Sequence, residues 1–180
     1  MEYTQSIRKA IDEGKRLFVG FDAGFGKFYP VDEDTPTPKV AKIFRRPHHA
    51  KNEYDMLLTI RALLPIVHVP IPYALIELSG LPHIFDDKEF NGTGHAVVME
   101  RIHGRRLCDV AMGEQQQYHG ALLALLENMD QHGLARTDIK SEDIICMQDS
   151  RDVVLVDTHT IHRAKHRIPP KYVFEYLTAG

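Results

Sequence analysis

His132-Gly-Leu-Ala-Arg-Thr-Asp138-Ile-Lys140-Ser-Glu-Asp143-Ile-Ile145 and, shortly after it, Val153-Val-Leu-Val-Asp157 decide how this chain is read. A long helical pattern precedes the first stretch, and Gly133 is a natural stop for it. Asp138 follows that stop. Asp143 stands at the mouth of a short apolar run, residues 144–147, and Asp157 closes the next, residues 153–156, across a turn at 148–152. A strand–turn–strand ribbon folds back on itself, so the three carboxylates are expected at one edge. Carboxylates gathered there suit a hard cation with oxygen ligands, magnesium above all. Taken singly, each aspartate reads as a turn cap or a solvated loop residue. Asp157 resists that reading, because a carboxylate directly behind Val-Val-Leu-Val needs partners or a metal to offset its desolvation.

Three signals lie further toward the N-terminus. Gly20-Phe-Asp-Ala-Gly24-Phe25-Gly26 is a glycine cluster between two strand-like stretches. Glycines let backbone N–H groups approach phosphate oxygens closely. No Gly-Lys-Ser/Thr follows and no helix opens here, so neither a Walker loop nor a dinucleotide fingerprint is read. Lys42 lies inside the strand pattern Val40-Ala-Lys42-Ile-Phe44. There it needs either an exposed edge or a partner. Glu53 shares a helical face with Leu57, Ile60 and Leu64 in a helix expected over about residues 48–64, which Pro65 ends. Pairing Lys42 with Glu53 resolves both anomalies.

The remaining elements follow from pattern and turn chemistry. Residues 32–38 read as a turn, 66–77 as extended chain broken by Pro70 and Pro72, and 95–99 as a buried strand. Residues 99–106 read as a connector. Tyr118, Ala121, Leu122, Leu125, Leu126 and Met129 give a long helix over about 114–132, and a short helix is expected at 171–177. The chain thus runs strand-rich first and helix-rich second, as two lobes. Its 180 residues suffice for a core without disulfide staples. With 22 Lys and Arg against 25 Asp and Glu, the balance gives no electrostatic footprint for nucleic acid. Two cysteines, Cys108 and Cys146, make no disulfide framework and fit a reducing compartment. The longest apolar run is far short of a membrane span. The stretch MEYTQSIRKAIDEGKRLF shows no cleavable signal pattern.

Taken in order, the glycine hairpin, strand lysine, helix glutamate and aspartate set resemble the eukaryotic-like protein kinase fold, over about residues 17–160. The opening stretch is similar to the kinase catalytic loop, and Val154-Leu-Val-Asp157 to the strand entering Asp-Phe-Gly. Val97-Val-Met99-Glu100-Arg-Ile102 is similar to the adenine-binding hinge, with Met99 as gatekeeper. The resemblance implies an α+β protein-kinase-like two-lobe fold with a truncated C-lobe. Residues 1–180 would form one minimal kinase domain. An N-lobe at 17–98 (antiparallel sheet plus one helix) and a hinge at 99–106 would precede a small, mainly helical C-lobe at 107–180. It further implies ATP and Mg2+. Gly20, Gly24, Phe25 and Gly26 would cover the phosphates, and Lys42 held by Glu53 would touch them. Met99, Glu100 and Ile102 would line the adenine site. Asp138 would orient the acceptor hydroxyl and take its proton, Lys140 would neutralise moving charge, and Asp143 and Asp157 would hold magnesium.

Departures narrow the resemblance. Arg136-Thr137 stands where most kinases have His-Arg, so the arginine that reads a phosphorylated activation loop is missing. Asp143 replaces the usual Asn, and Asp157-Thr-His159 replaces Asp-Phe-Gly. The chain ends at Gly180, close behind Asp157, and has no Ala-Pro-Glu. These features resemble the minimal effector kinases that bacterial pathogens inject into host cells. They imply a monomeric serine/threonine kinase without activation-loop control, exported independently of a signal peptide, or otherwise cytoplasmic. Its substrate would be a host protein, such as a chaperone or a ubiquitin-pathway component. Two other readings stay open, a pseudokinase-type binding module and a small-molecule phosphotransferase. The basic cluster Arg45, Arg46, His48, His49 and Lys51 reads as a solvated helix start.

Overall fold

The computed structural model describes residues 2–17, 26–64, 69–81, 84–85, 92–136, 139–158, 161–163 and 169–178. The chain divides into two compact units, Met1–Asp55 with Ile71–Arg101, and Met56–Pro70 with Ile102–Gly180.

The first unit is built on an antiparallel four-stranded sheet: β1 (Lys27–Val31), β2 (Lys39–Phe44), β3 (Pro72–Leu78) and β4 (Gly94–Glu100), in the order β1-β2-β4-β3. The sequence dictates which strands are central. Residues 96–99, Ala-Val-Val-Met, are buried on both faces, as an interior strand requires. β3 alternates half-buried and exposed positions and opens with Pro72, the habit of an edge strand. Register pairs Lys42 with Phe28 on one side and Val97 on the other. Since side chains alternate along a strand, Phe28, Val40, Lys42, Phe44, Val97 and Met99 share one face.

The opposite face carries Tyr29, Val31, Ala41, Ile43, Ala96 and Val98, and it forms the core of this unit. A helix that the sequence pattern did not announce, α1 (Glu2–Asp12), covers it with Ile7, Ala10 and Ile11. Those three are spaced i, i+3, i+4, and each isoleucine buried this way contributes at most about 2–3 kcal/mol. The unit therefore holds α1 in addition to the sheet and the helix expected within residues 17–98. The β1–β2 turn ties α1 to the sheet. Asp32 adopts φ 52°, its Oδ1 accepts from Ser6 Oγ (3.1 Å), and its carbonyl accepts from Thr35 Oγ1 (2.8 Å).

α2 (Pro47–Leu63) begins with proline in its first turn, where a missing N–H costs nothing. Its buried stripe is Ala50, Glu53, Leu57 and Ile60, continued by Leu64. It ends two residues before Pro65.

The second unit contains β5 (Arg105–Arg106), α3 (Met112–Gln115), α4 (His119–Gln131), β6 (Leu134–Arg136), β7 (Ile144–Cys146), β8 (Val153–Leu155), β9 (Ile161–Arg163) and α5 (Pro170–Thr178). The helix expected over 114–132 is broken by a 3-10 turn at Gln116–Tyr118. The buried Gln115 amide fixes the break by donating to Leu107 O (3.2 Å) and Val110 O (3.0 Å). α4 buries Leu122, Leu125, Leu126 and Met129 and stops at Gly133, whose φ of 71° suits glycine. α5 packs on α4, with the Phe174 ring edge-on to His119 at 5.1 Å. β5, β7 and β8 form one antiparallel ribbon, and β6 pairs with β9. Gly104 lets β5 lie against β7, because a Cβ there would sit 2.5 Å from Cys146 O.

Candidate functional site

Lys42 and Glu53 meet in the first unit. Lys42 Nζ lies 3.4 Å from Glu53 Oε2, with the side chains 2% and 0% exposed. β2 supplies the lysine and the first half of α2 the glutamate. The ammonium also lies 5.5 Å from the Phe28 ring centroid and 4.9 Å from that of Phe44. Phenyl faces carry negative quadrupole potential, so both rings favour the cation. Sequence reasoning missed these two aromatics. Phe44 was within reach as the residue two places on, on the same strand face, but Phe28 depends on register. Gly26 also touches this group, since a Cβ on it would stand 3.0 Å from Lys42 Cγ.

The stretch predicted as a hinge leaves β4 through Met99, Glu100 and Arg101. Met99 is buried between Val40 and Pro72, its register partners. Glu100 is bound twice by Ile71. Its N–H donates to Ile71 O (2.8 Å), and its Oε2 accepts from Ile71 N (3.2 Å). The Arg101 N–H donates to Pro38 O (3.0 Å). Beyond that ladder, the Ile102 N–H makes no backbone hydrogen bond among the described residues.

In the second unit, Asp143 and Asp157 lie at the same end of the β7–β8 hairpin. Register pairs Ile144 with Leu155, and the Val156 N–H donates to Asp143 O (2.9 Å), so the ribbon runs on to the aspartates. Asp143 is buried, and its Oδ2 accepts the Lys140 N–H at 3.0 Å. One carboxylate oxygen thus caps the turn at Ser141–Asp143. Asp157 is half-buried. Two carboxylates on a strand edge fit magnesium, which commonly takes one or two and completes its shell with water and phosphate oxygens. Among the described residues, no group of three or more His, Cys, Asp and Glu side chains is gathered closely enough to hold a metal. Asp138 lies outside the described residues, as do Gly20, Gly24 and Phe25.

Other polar features have structural explanations. A cavity of about 330 Å³ between α1 and the β1–β2 turn is lined by Lys9, Glu13, Lys15 and Glu33. Lys15 bridges two of its carboxylates, at 3.1 Å from Glu13 and 3.7 Å from Glu33. Cys146 is buried, which pushes its thiol up to about 11. Cys108 is exposed, and partial desolvation of its sulfur raises its thiol as well. Lys51 pairs with Asp55 one turn along α2. No described helix is long and apolar enough to cross a membrane.

No protein-family model and no curated protein matches the sequence. Solved structures do match it. A 2.2 Å crystal structure of WbdD superposes with TM-score 0.59 at 16% identity, covering 92% of this chain and 39% of WbdD. A second structure, of "the bifunctional kinase-methyltransferase WbdD", gives 0.58 at 17% identity, with 92% and 40% covered. The kinase PK-1 of Cydia pomonella granulovirus gives 0.57 at 13% identity, with 88% and 56% covered. The chain thus spans about two fifths of the WbdD chains and just over half of PK-1. These likenesses establish a protein-kinase-like α+β fold, the fold the sequence motifs resemble.

Proposed function

We propose that this chain is an ATP- and magnesium-dependent phosphotransferase acting on serine or threonine hydroxyls of a protein. One observation carries the reading: a fully enclosed Lys42–Glu53 ion pair in a kinase-like fold. A buried ion pair gains little over apolar packing of the same volume. Its presence therefore has a better account in chemistry than in stability. In this reading Glu53 holds the Lys42 ammonium toward the α- and β-phosphates of ATP. Met99 walls the adenine site, where the Ile102 N–H and the Glu100 carbonyl meet the base edge.

Asp143 and Asp157 are the residues that would hold magnesium, which when bound neutralises charge on the phosphates. Gly20, Gly24, Phe25 and Gly26 are the residues the reading assigns to the ATP phosphates. Asp138 orients the acceptor hydroxyl and takes its proton, and Lys140 balances negative charge at the transferring group. Such catalysis is largely positioning and electrostatics, which a small scaffold can supply. Thr137 stands in place of the arginine that senses a phosphorylated activation loop, which supports activity independent of that control. The biological setting we propose is that of an injected bacterial effector whose substrate is a host protein.

The test is incubation with γ-labelled ATP, magnesium and host-cell lysate, beside Asp157→Ala. A labelled protein band that depends on Asp157 supports the reading. Label confined to small molecules redirects it to a small-molecule kinase. No transfer with no nucleotide binding leaves a binding module.

A further inference from the structure

We propose that Gly26 is a positioning residue that makes room for the Lys42 side chain; the consequence for catalysis rests on the kinase reading above. Glycine at the end of a glycine-rich loop is ordinarily explained by backbone conformation or by approach to phosphate. Conformation does not explain this one. The glycines with positive φ among the described residues are Gly14, Gly80, Gly92 and Gly133, and Gly26 is not among them. Space does explain it. A Cβ on Gly26 would stand 3.0 Å from Lys42 Cγ and 3.1 Å from Lys42 Cε, with Ile43 O at 3.5 Å.

Lys42 has little freedom to yield. Its side chain is 2% exposed, its ammonium is held by Glu53 at 3.4 Å, and the Phe28 and Phe44 rings flank it. Interiors packed this way transmit a displacement rather than absorb it. A methyl group at residue 26 therefore pushes the lysine stem away from β1 and draws the ammonium off Glu53. A few tenths of an ångström at the cation is enough to matter to a reaction governed by positioning.

The experiment uses the full chain with 13C-labelled lysine. In the wild type the Lys42 Cε methylene resonance should be displaced by ring currents from Phe28 and Phe44, whose centroids lie 5.5 and 4.9 Å from Nζ. In Gly26→Ala it should move measurably toward the position of an exposed lysine. Melting temperature gives a second readout. The loss caused by Gly26→Ala should shrink to less than half in a background where Lys42→Ala and Glu53→Leu remove the ion pair together. An unmoved Lys42 resonance in folded Gly26→Ala, or an equal melting loss in both backgrounds, overturns the proposal. If Gly26→Ala fails to fold alone, its recovery in the Lys42→Ala, Glu53→Leu background supports the proposal and failure there contradicts it. Phosphotransfer is read separately, and Gly26→Ala should lower it roughly tenfold or more. A moved resonance in a protein with no phosphotransfer at all would uphold the positioning role and reject the kinase reading.

Discussion

Lys42→Met is the sharpest perturbation of the buried pair. It keeps the length of the stem and deletes the charge. At 3.4 Å and an effective dielectric of ~20, the Coulomb attraction lost is on the order of 5 kcal/mol. The net cost is smaller, because the lysine no longer has to be desolvated. Removing one partner of a buried pair typically costs about 3–5 kcal/mol, mostly for the charge left behind. For a chain of this size that corresponds to a fall in melting temperature of roughly 10 °C. Glu53→Leu should cost a comparable amount by stranding the ammonium, although Phe28 and Phe44 soften that loss. Lys42→Met with Glu53→Leu removes both charges and should return to within about 1 kcal/mol of wild type. The assay is urea unfolding of the four proteins, read as a double-mutant cycle. Single variants within about 0.5 kcal/mol of wild type, or effects that simply add, would refute the reasoning.

Other consequences follow from the packing. Gly104→Ala should cost more than 2 kcal/mol or so and separate β5 from β7, since its Cβ meets Cys146 O at 2.5 Å; hydrogen exchange at residues 105–106 and 144–146 checks it. Ile7→Ala should destabilise the first unit by about 2–5 kcal/mol, because Ile7 is fully buried against the sheet, and an unchanged melting curve would reject that docking. The Cys146 thiol, raised from 9.0 to about 11 by burial, gives a pH signature. A raised acid contributes stability that is intact below the unfolded value and is lost as pH climbs through the folded one. Urea midpoints should therefore fall between about pH 9 and pH 11 in wild type and fall less in Cys146→Val; equal slopes would count against it.

Much of the site was legible because its residues are anomalies. A lysine in an apolar strand and a glutamate on an apolar helix face each demand a partner, and the two meet in the structure. Asp157 behind four apolar residues is conspicuous for the same reason, and β7 and β8 lie where alternation and turn chemistry put them. The parts that escaped are set by non-local contacts. α1 carries only Ile7, Ala10 and Ile11 as its buried stripe, and the surface that makes it a core helix comes from four strands elsewhere in the chain. The break before α4 depends on Gln115 reaching back to Leu107 and Val110. β6 and β9 are three residues each, too short for a period-two pattern to register. The aromatic flank of Lys42 is likewise a product of strand register, as is the close approach of Gly26.

The central claim is that the buried Lys42 ammonium, held by Glu53, serves the phosphates of a nucleotide. An acyl-phosphate derivative of ATP, which acylates an amine lying beside its phosphates, tests this directly by peptide mapping. The account predicts modification at Lys42, suppressed by excess magnesium-ATP. Modification confined to exposed lysines, or modification of Lys42 indifferent to the competitor, would contradict it.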